Sequence, residues 1–184
     1  MSTHPSWGGY PVAEQKVTRI HWRSSDFPDL ASGLLLPRGN GRSYGDVCLN
    51  DGGTLLDCRG LNRLIAFGEE TGVLRCEAGM LLGDLLSWSV PRGWFLPVTP
   101  GTKFVTLGGM IAADVHGKNH HKDGSFGRFV DWVEIMEPDG SVKRCSPMRN
   151  KALFEWTVGG MGLTGVILRA AIRLRAVESA WIQQ

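Results

Sequence analysis

The sequence predicts an α+β fold, and three observations predict it. Short apolar runs, alternating or continuous and bounded by Gly, Pro, Asn or Asp, recur along the 184 residues as strand signals. One longer stretch carries its apolar residues at helical spacing. Glycine, at 25 residues, is about twice as frequent as the roughly 7% of average chains. It gathers in clusters at 39–45, 101–109, 117–127 and 159–165, each beside an apolar run, which is the pattern of binding loops built from backbone.

In chain order, residues 1–16 hold no sustained period and contain Pro5, Gly8, Gly9 and Pro11, so they read as an irregular arm on which Trp7 and Tyr10 pack down. Leu34, Leu35 and Leu36 before Pro37 predict a buried strand, and residues 54–58 a second. The stretch from Leu64 to Glu77 predicts a hairpin turning through Glu69-Glu70-Thr71-Gly72. From Met80 to Val90, Leu81, Leu82, Leu85, Leu86 and Trp88 recur at helical spacing, with Pro91 and Gly93 as the stop. Val133 and Ile135 alternate with Trp132 and Glu134 before Pro138-Asp139-Gly140, and Val142 resumes the pattern as a second hairpin. A short helix is expected over Lys151–Thr157. Beyond it Ala170, Ile172 and Leu174 alternate with Arg169, Arg173 and Arg175 as in a half-solvated strand.

Composition narrows the function. No stretch approaches the roughly 18 uncharged apolar residues of a membrane helix. Twenty basic against 18 acidic residues give a formal charge of +2, without the single-sign field of a nucleic-acid binder. No secretory leader is evident at the N-terminus, so a cytoplasmic location is expected. Cys48, Cys58, Cys76 and Cys145 lack metal-ligand spacing and read as buried or half-buried free thiols. His116, His120 and His121 suggest a metal site, but Gly117 and Asn119 disfavour a shared helix face and no nearby carboxylate or cysteine completes a set, so no metal is expected.

The chemistry sits in the glycine clusters. Arg38-Gly39-Asn40-Gly41-Arg42-Ser43-Tyr44-Gly45-Asp46 follows directly on a predicted strand. Such a loop can converge backbone N–H groups on an anion, or it can be a plain multi-glycine turn. It lacks G-x-x-x-x-G-K-[ST] and the third glycine of G-x-G-x-x-G, which weakens a P-loop or ordinary Rossmann reading. The second cluster runs from Pro100-Gly101-Thr102 through Val105-Thr106-Leu107-Gly108-Gly109 to Ala113-Asp114-Val115-His116-Gly117-Lys118. Its small residues leave room for a large flat ligand. Gly124-Ser125-Phe126-Gly127 follows, and Val158-Gly159-Gly160-Met161-Gly162-Leu163-Thr164-Gly165 precedes the last strand.

Taken together and in order, these motifs resemble the PCMH-type FAD-binding domain of the vanillyl-alcohol-oxidase superfamily, from about Leu34 to Leu174. Within it they are similar to the branch that oxidises a decaprenylphosphoryl-linked ribose at its 2′-hydroxyl. The resemblance implies FAD held between two α+β subdomains, at 17–100 and 101–184 after the arm. It implies that Arg38, Gly39, Asn40, Gly41, Arg42, Ser43, Tyr44, Gly45 and Asp46 line the pyrophosphate. Gly101, Thr106, Leu107, Gly108, Gly109, Ala113, Asp114, Val115, His116 and Ile167 would line the rest of the cofactor, with His116, Lys118 and Tyr44 at the isoalloxazine edge.

Members that attach flavin from the first loop carry His where this chain has Arg42, so non-covalent FAD is expected. The family's substrate domain is expected to be missing here, or supplied by a separate chain. The implied activity is oxidation of a sugar secondary hydroxyl, on a sugar or polyprenyl-phosphate sugar, at a peripheral membrane location set by the lipid. The alternatives are an aldonolactone, alditol or hydroxy-acid oxidase, or a non-catalytic flavin-binding module.

Overall fold

Parallel strands cannot be joined by a tight turn and need a crossover of roughly a dozen residues or more. That rule shapes the first lobe. Strands β1 (Lys16–Arg19), β2 (Leu35–Arg38) and β3 (Thr54–Asp57) form a sheet in the order β1-β3-β2, parallel throughout. The crossover from β2 to β3 is the segment 39–53, so the first glycine cluster leaves the sheet at the end of β2. The computed structural model describes residues 4–24, 27–28 and 34–181. The first three residues of the predicted arm and the last three of the predicted second subdomain lie outside these.

The second lobe is antiparallel. β4 (Leu64–Gly68) and β5 (Val73–Glu77) form the expected hairpin, and β7 (Val130–Met136) and β8 (Val142–Cys145) the second. Between the hairpins lies β9 (Val166–Arg173), giving the order β4-β5-β9-β7-β8. Two short strands, β6 (Trp94–Phe95) and β10 (Arg175–Ala176), pair separately. Helix α1 (Leu82–Ser89) buries Leu82 and Leu85, and Gly93 in the left-handed region closes the turn after it. α2 (Leu107–Ala112), α3 (His120–Asp123) and α4 (Lys151–Thr157) complete the lobe, the last over the predicted residues.

β9 departs from its expected half-solvated character. Val166, Ile167, Leu168, Ala170, Ala171 and Ile172 are all buried. The reason is topological: β9 is the central strand, with a different layer on each face. Ile167, Ala170 and Ile172 join the core under α1 and α2, while Val166 and Leu168 pack with Ile20, Leu56 and Leu61 of the first lobe. Arg169 stays at the sheet by donating to Glu134 on β7 at 2.9 Å.

Three further expectations change. A division at residue 100 runs through one sheet, because β4 and β5 precede it and β7 to β9 follow it; the sheets themselves separate between Gly60 and Leu64. Tyr10 does not pack down and is 81% exposed, whereas Trp7 stacks on Arg42. The segment 107–112, whose small residues are expected to leave its backbone open to a flat ligand, is helical. Two glycines weaken a helix, but the Thr106 hydroxyl caps the Gly109 N–H at 3.2 Å, and Leu107, Met110 and Ile111 are fully buried.

The lobes meet at Gly79, whose N–H donates to the Leu61 carbonyl at 2.7 Å. A Cβ at Gly79 would lie 2.0 Å from the Cys58 carbonyl oxygen and 2.7 Å from that of Leu61. Both are backbone atoms and cannot rotate away. Gly79→Ala is expected to destabilise the chain by about 1–3 kcal/mol or more, as overpacking does, read as a lower urea midpoint. An unchanged midpoint would show that this junction yields freely.

Candidate functional site

A cleft runs between the lobes. One wall is the first-lobe run Pro37 to Ser43 with Val47, Cys48 and Cys58; the other is Ala78, Val105, Thr106, Gly108, Gly109, Ala112, Ala113, Val115 and Ile167; Met161, Gly162 and Gly165 close one side. Its enclosed part measures about 190 Å³. Pockets that engulf a drug-sized ligand run to roughly 300–1,000 Å³, so a long ligand would have only part of its length inside.

Backbone geometry makes this cleft. Gly39 lies against Thr106 so closely that a Cβ would fall 2.3 Å from Oγ1, the atom that caps α2. Gly41 has φ +63°, in the region that disfavours side chains. Among the described residues, no backbone N–H from Asn40 to Gly45 donates a hydrogen bond within the protein. Groups of this kind are normally paired unless they face water or a ligand.

The amides at the start of α2, by contrast, are already bonded. Leu107 donates to the Met80 carbonyl at 2.9 Å, Gly108 to that of Ala78 at 2.7 Å, and Gly109 to Thr106. Of these two segments, the first loop is therefore the one with open amides.

Two arginines stand in that loop. Arg38 is 5% exposed; its Nη2 donates to the Pro5 carbonyl at 2.8 Å, and its Nε has no partner. Burial pushes the Arg38 pKa down from its ordinary value, as expected for a guanidinium drawn out of water. Arg42 lies 4.7 Å from the Trp7 ring and 5.6 Å from that of Phe104, and its Nε is likewise buried without a partner. Open amides and unpaired donors fit an anionic group such as a pyrophosphate.

Asp57 anchors this side of the cleft. It is fully buried at the end of β3 and accepts from Arg59 Nη2 at 2.7 Å and Nε at 2.8 Å, and from Arg19 Nε at 3.2 Å. Arg59 in turn reaches Asn40 Oδ1 at 3.4 Å, which ties the glycine loop to the sheet. Burial would raise the Asp57 pKa, but the bonds from Arg59 and Arg19 outweigh it and hold the carboxyl well below the usual range. The four cysteines are buried free thiols, and burial pushes Cys58, in the cleft wall, up to about 12.

The sequence-predicted residues divide. Arg38, Gly39, Asn40, Gly41, Arg42, Ser43, Thr106, Gly108, Gly109, Ala113, Val115 and Ile167 all line the cleft. Tyr44, Gly45 and Asp46 do not; they form a solvent-facing turn in which Tyr44 is 76% exposed. Leu107 points into the core, and Asp114, at φ +40°, accepts from the Gly127 N–H at 2.7 Å.

Gly101, His116 and Lys118 line a second, wider cleft of about 700 Å³ with Phe95, Pro97, Thr99, Asn119 and Arg175. Asn119 fixes its rim by donating to the Pro97 carbonyl at 2.8 Å. Sequence reasoning missed Cys48, Cys58 and Ala78, which carry no motif, and Ala112, which lies within the second cluster. It also missed Met161, Gly162 and Gly165, which the last glycine cluster signalled.

A two-lobed α+β domain with an anion-receiving loop at the lobe junction defines a class, that of domains holding a dinucleotide cofactor through its phosphates. The chain belongs to the FAD binding domain family, whose model matches residues 31–146. It is 44% identical over 148 residues to the decaprenylphosphoryl-β-D-ribose oxidase of Mycolicibacterium smegmatis, covering 80% of this chain and 32% of that protein. An uncharacterised oxidoreductase of Rhodococcoides fascians is 30% identical, over 79% of this chain and 33% of its own. A D-lactate dehydrogenase of Anaerostipes hadrus is 25% identical, over 67% and 27%. The chain thus spans a third or less of the length of these relatives, all of them oxidoreductases by name.

The Asp57 cluster sets an acid limit. A carboxyl whose pKa is lowered by folding contributes stability above its unfolded value, near 3.9, and loses it as pH falls toward the folded value. Asp57→Asn is expected to cost about 1.5–3 kcal/mol at pH 7, the range for hydrogen bonds to charged groups. It is also expected to flatten the fall in stability below pH 4. Urea melts from pH 6 to 3 check this; parallel parent and variant curves would remove Asp57 as the source.

Proposed function

We propose that this chain is the FAD-holding part of an oxidoreductase that oxidises a secondary hydroxyl of a sugar. The observation that carries the reading is the run of open amides from Asn40 to Ser43 in the cleft wall, beside the unpaired Nε atoms of Arg38 and Arg42. Those groups would hold the cofactor's pyrophosphate. The small-residue wall at Gly108, Gly109, Ala112 and Ala113 would leave room for the remainder. When bound, FAD supplies a hydride acceptor at flavin N5.

This chain's own residues would do the rest. His116 and Lys118 are exposed in the second cleft, on a turn held by Asn119 and by Gly117, which has no room for a Cβ beneath the Thr99 carbonyl. From there the His116 ring would take or orient the hydroxyl proton, and the Lys118 ammonium would stabilise developing negative charge or position the substrate. Identity to the mycolicibacterial oxidase over 80% of the chain supports a polyprenyl-phosphate-linked ribose as the substrate class. A substrate of that kind supports a peripheral location at a membrane surface.

FAD is proposed to be non-covalent, since Arg42 has no nucleophilic nitrogen to offer at neutral pH. The purified chain should show a flavin absorption band, and acid precipitation should release all of it into the supernatant. Colour retained in the pellet would reverse the second point, and a colourless protein that takes up no added FAD the first.

In the enzyme that contains this domain, His116→Ala and Lys118→Ala are each expected to slow flavin reduction on the order of 10²-fold, as loss of a positioned donor does, with FAD occupancy kept. Anaerobic stopped-flow reduction alongside flavin content tests this. Reduction at the parent rate would strip both residues of the role.

A further inference from the structure

Of the histidines at 116, 120 and 121, the proposed chemistry uses only His116. The turn that carries them is closed by backbone. Phe126 N–H donates to the Val115 carbonyl at 2.9 Å, and Gly124 N–H to that of His120 at 2.9 Å. Asn119 donates to the Pro97 carbonyl and, at 2.6 Å, to Asp123, whose other oxygen receives Arg175 of β10 at 2.7 Å. The backbone under His116 is therefore fixed from both sides. Its exposed ring stays free to turn about two side-chain bonds unless another group meets it.

His120 is the group that meets it. The two rings pack edge to face, with centroids 5.5 Å apart and planes at 68°, an arrangement that aromatic rings favour. His120 is itself held, because its Nδ1 lies 3.2 Å from the Gly117 carbonyl, which also accepts the His120 amide at 3.1 Å. A carbonyl oxygen can only accept, so Nδ1 is the nitrogen that carries hydrogen. Both residues line the wide cleft. His121 packs on His120 at 6.0 Å and, among the described residues, makes no ring contact with His116.

We infer that His120 is a positioning residue for the oxidation and acts through His116, which rests on the proton-handling role proposed for His116. The bond to Gly117 fixes the His120 ring, and the fixed ring confines the His116 imidazole to one orientation beside the cleft. A base that is already aligned reaches a substrate hydroxyl without giving up side-chain freedom in the transition state. Gly117 couples the two histidines. Its missing side chain lets the turn lie beneath the Thr99 carbonyl, and its own carbonyl orients His120.

Two measurements test this. In the 184-residue chain without flavin, hydrogen–nitrogen correlation spectra of the imidazoles above their pKa are expected to show His120 as the Nδ1–H tautomer. The His116 ring resonances are expected to move in His120→Ala, and to move less in His120→Phe, which keeps a ring. In the enzyme that contains this domain, His120→Ala is expected to slow flavin reduction at saturating substrate about three- to tenfold, the span of one aromatic pair. The half-saturating substrate concentration and FAD content should stay at parent values. His120→Phe should recover more of the rate than His120→Asn, which keeps a donor for Gly117 but no ring. In a His116→Ala background, His120→Ala should slow nothing further, as when one residue acts through the other. His121→Ala should reduce at the parent rate.

The positioning role is overturned by His120 in the Nε2–H form, by His116 resonances indifferent to His120→Ala, by additive slowing in the double variant, or by equal slowing in His121→Ala. A change confined to the half-saturating concentration also overturns it, since that marks a substrate contact. Should His120→Ala fail to fold, the order of the other two variants decides, and a rate in His120→Asn at or above that of His120→Phe removes the ring contact. His116→Ala reducing at the parent rate defeats the proposed function and this role with it. A slow His116→Ala beside an unaffected His120→Ala defeats this role alone.

Discussion

The structure depends on a four-residue backbone junction, Glu77 to Met80. Ala78 donates to Leu168 of the central strand at 3.0 Å, Gly79 to Leu61 of the first lobe, and the Ala78 and Met80 carbonyls receive Gly108 and Leu107 of α2. One stretch of chain thereby fixes the central strand, the first lobe and the helix that walls the cleft. Buried backbone groups must find partners, and here the partners belong to three different parts of the fold, so satisfying them determines the arrangement. The absence of a side chain at Gly79 is what lets the lobes come that close.

From that junction the first lobe is held by electrostatics as much as by packing. Its sheet has only three short strands, and the apolar cluster behind it is small. The Asp57 carboxylate compensates by collecting Arg59 and Arg19 at the end of β3, beside Arg38, where the glycine loop departs. Glu77 does the same on the other lobe with Arg23 and Arg63, at 3.0 Å each. A buried carboxylate with two arginines is well satisfied, and removing one member leaves charge stranded in a dry site. Such clusters fix loop geometry more firmly than an apolar contact of equal size, because hydrogen bonds are directional.

The site is divided between two clefts. The narrow one collects the glycine loop with Arg38 and Arg42, and the wide one collects His116, Lys118 and their neighbours. Val115 lines the first and His116 the second, so adjacent residues on one chain serve both. A cofactor spanning them would meet recognition at one end and proton chemistry at the other.

The sequence by itself determined the local elements and the motif set. Both hairpins, α1, α4 and the strand before the glycine loop follow from periodicity and turn residues, which act over a few neighbours. Most of the cleft was also legible, because glycine clusters announce where backbone must be bare. Tertiary structure decided what depends on distant partners. The double burial of β9 arises because Ile20, Leu56 and Leu61 of the first lobe, more than a hundred residues away along the chain, cover one face while α1 and α2 cover the other. The helix at 107–112 arises from a cap and core that override its glycines. The same holds for Cys58 and Ala78, which enter the cleft wall only because the lobes close at Gly79. Their local pattern is that of ordinary core residues, and no period along the chain records which side of a core faces a ligand.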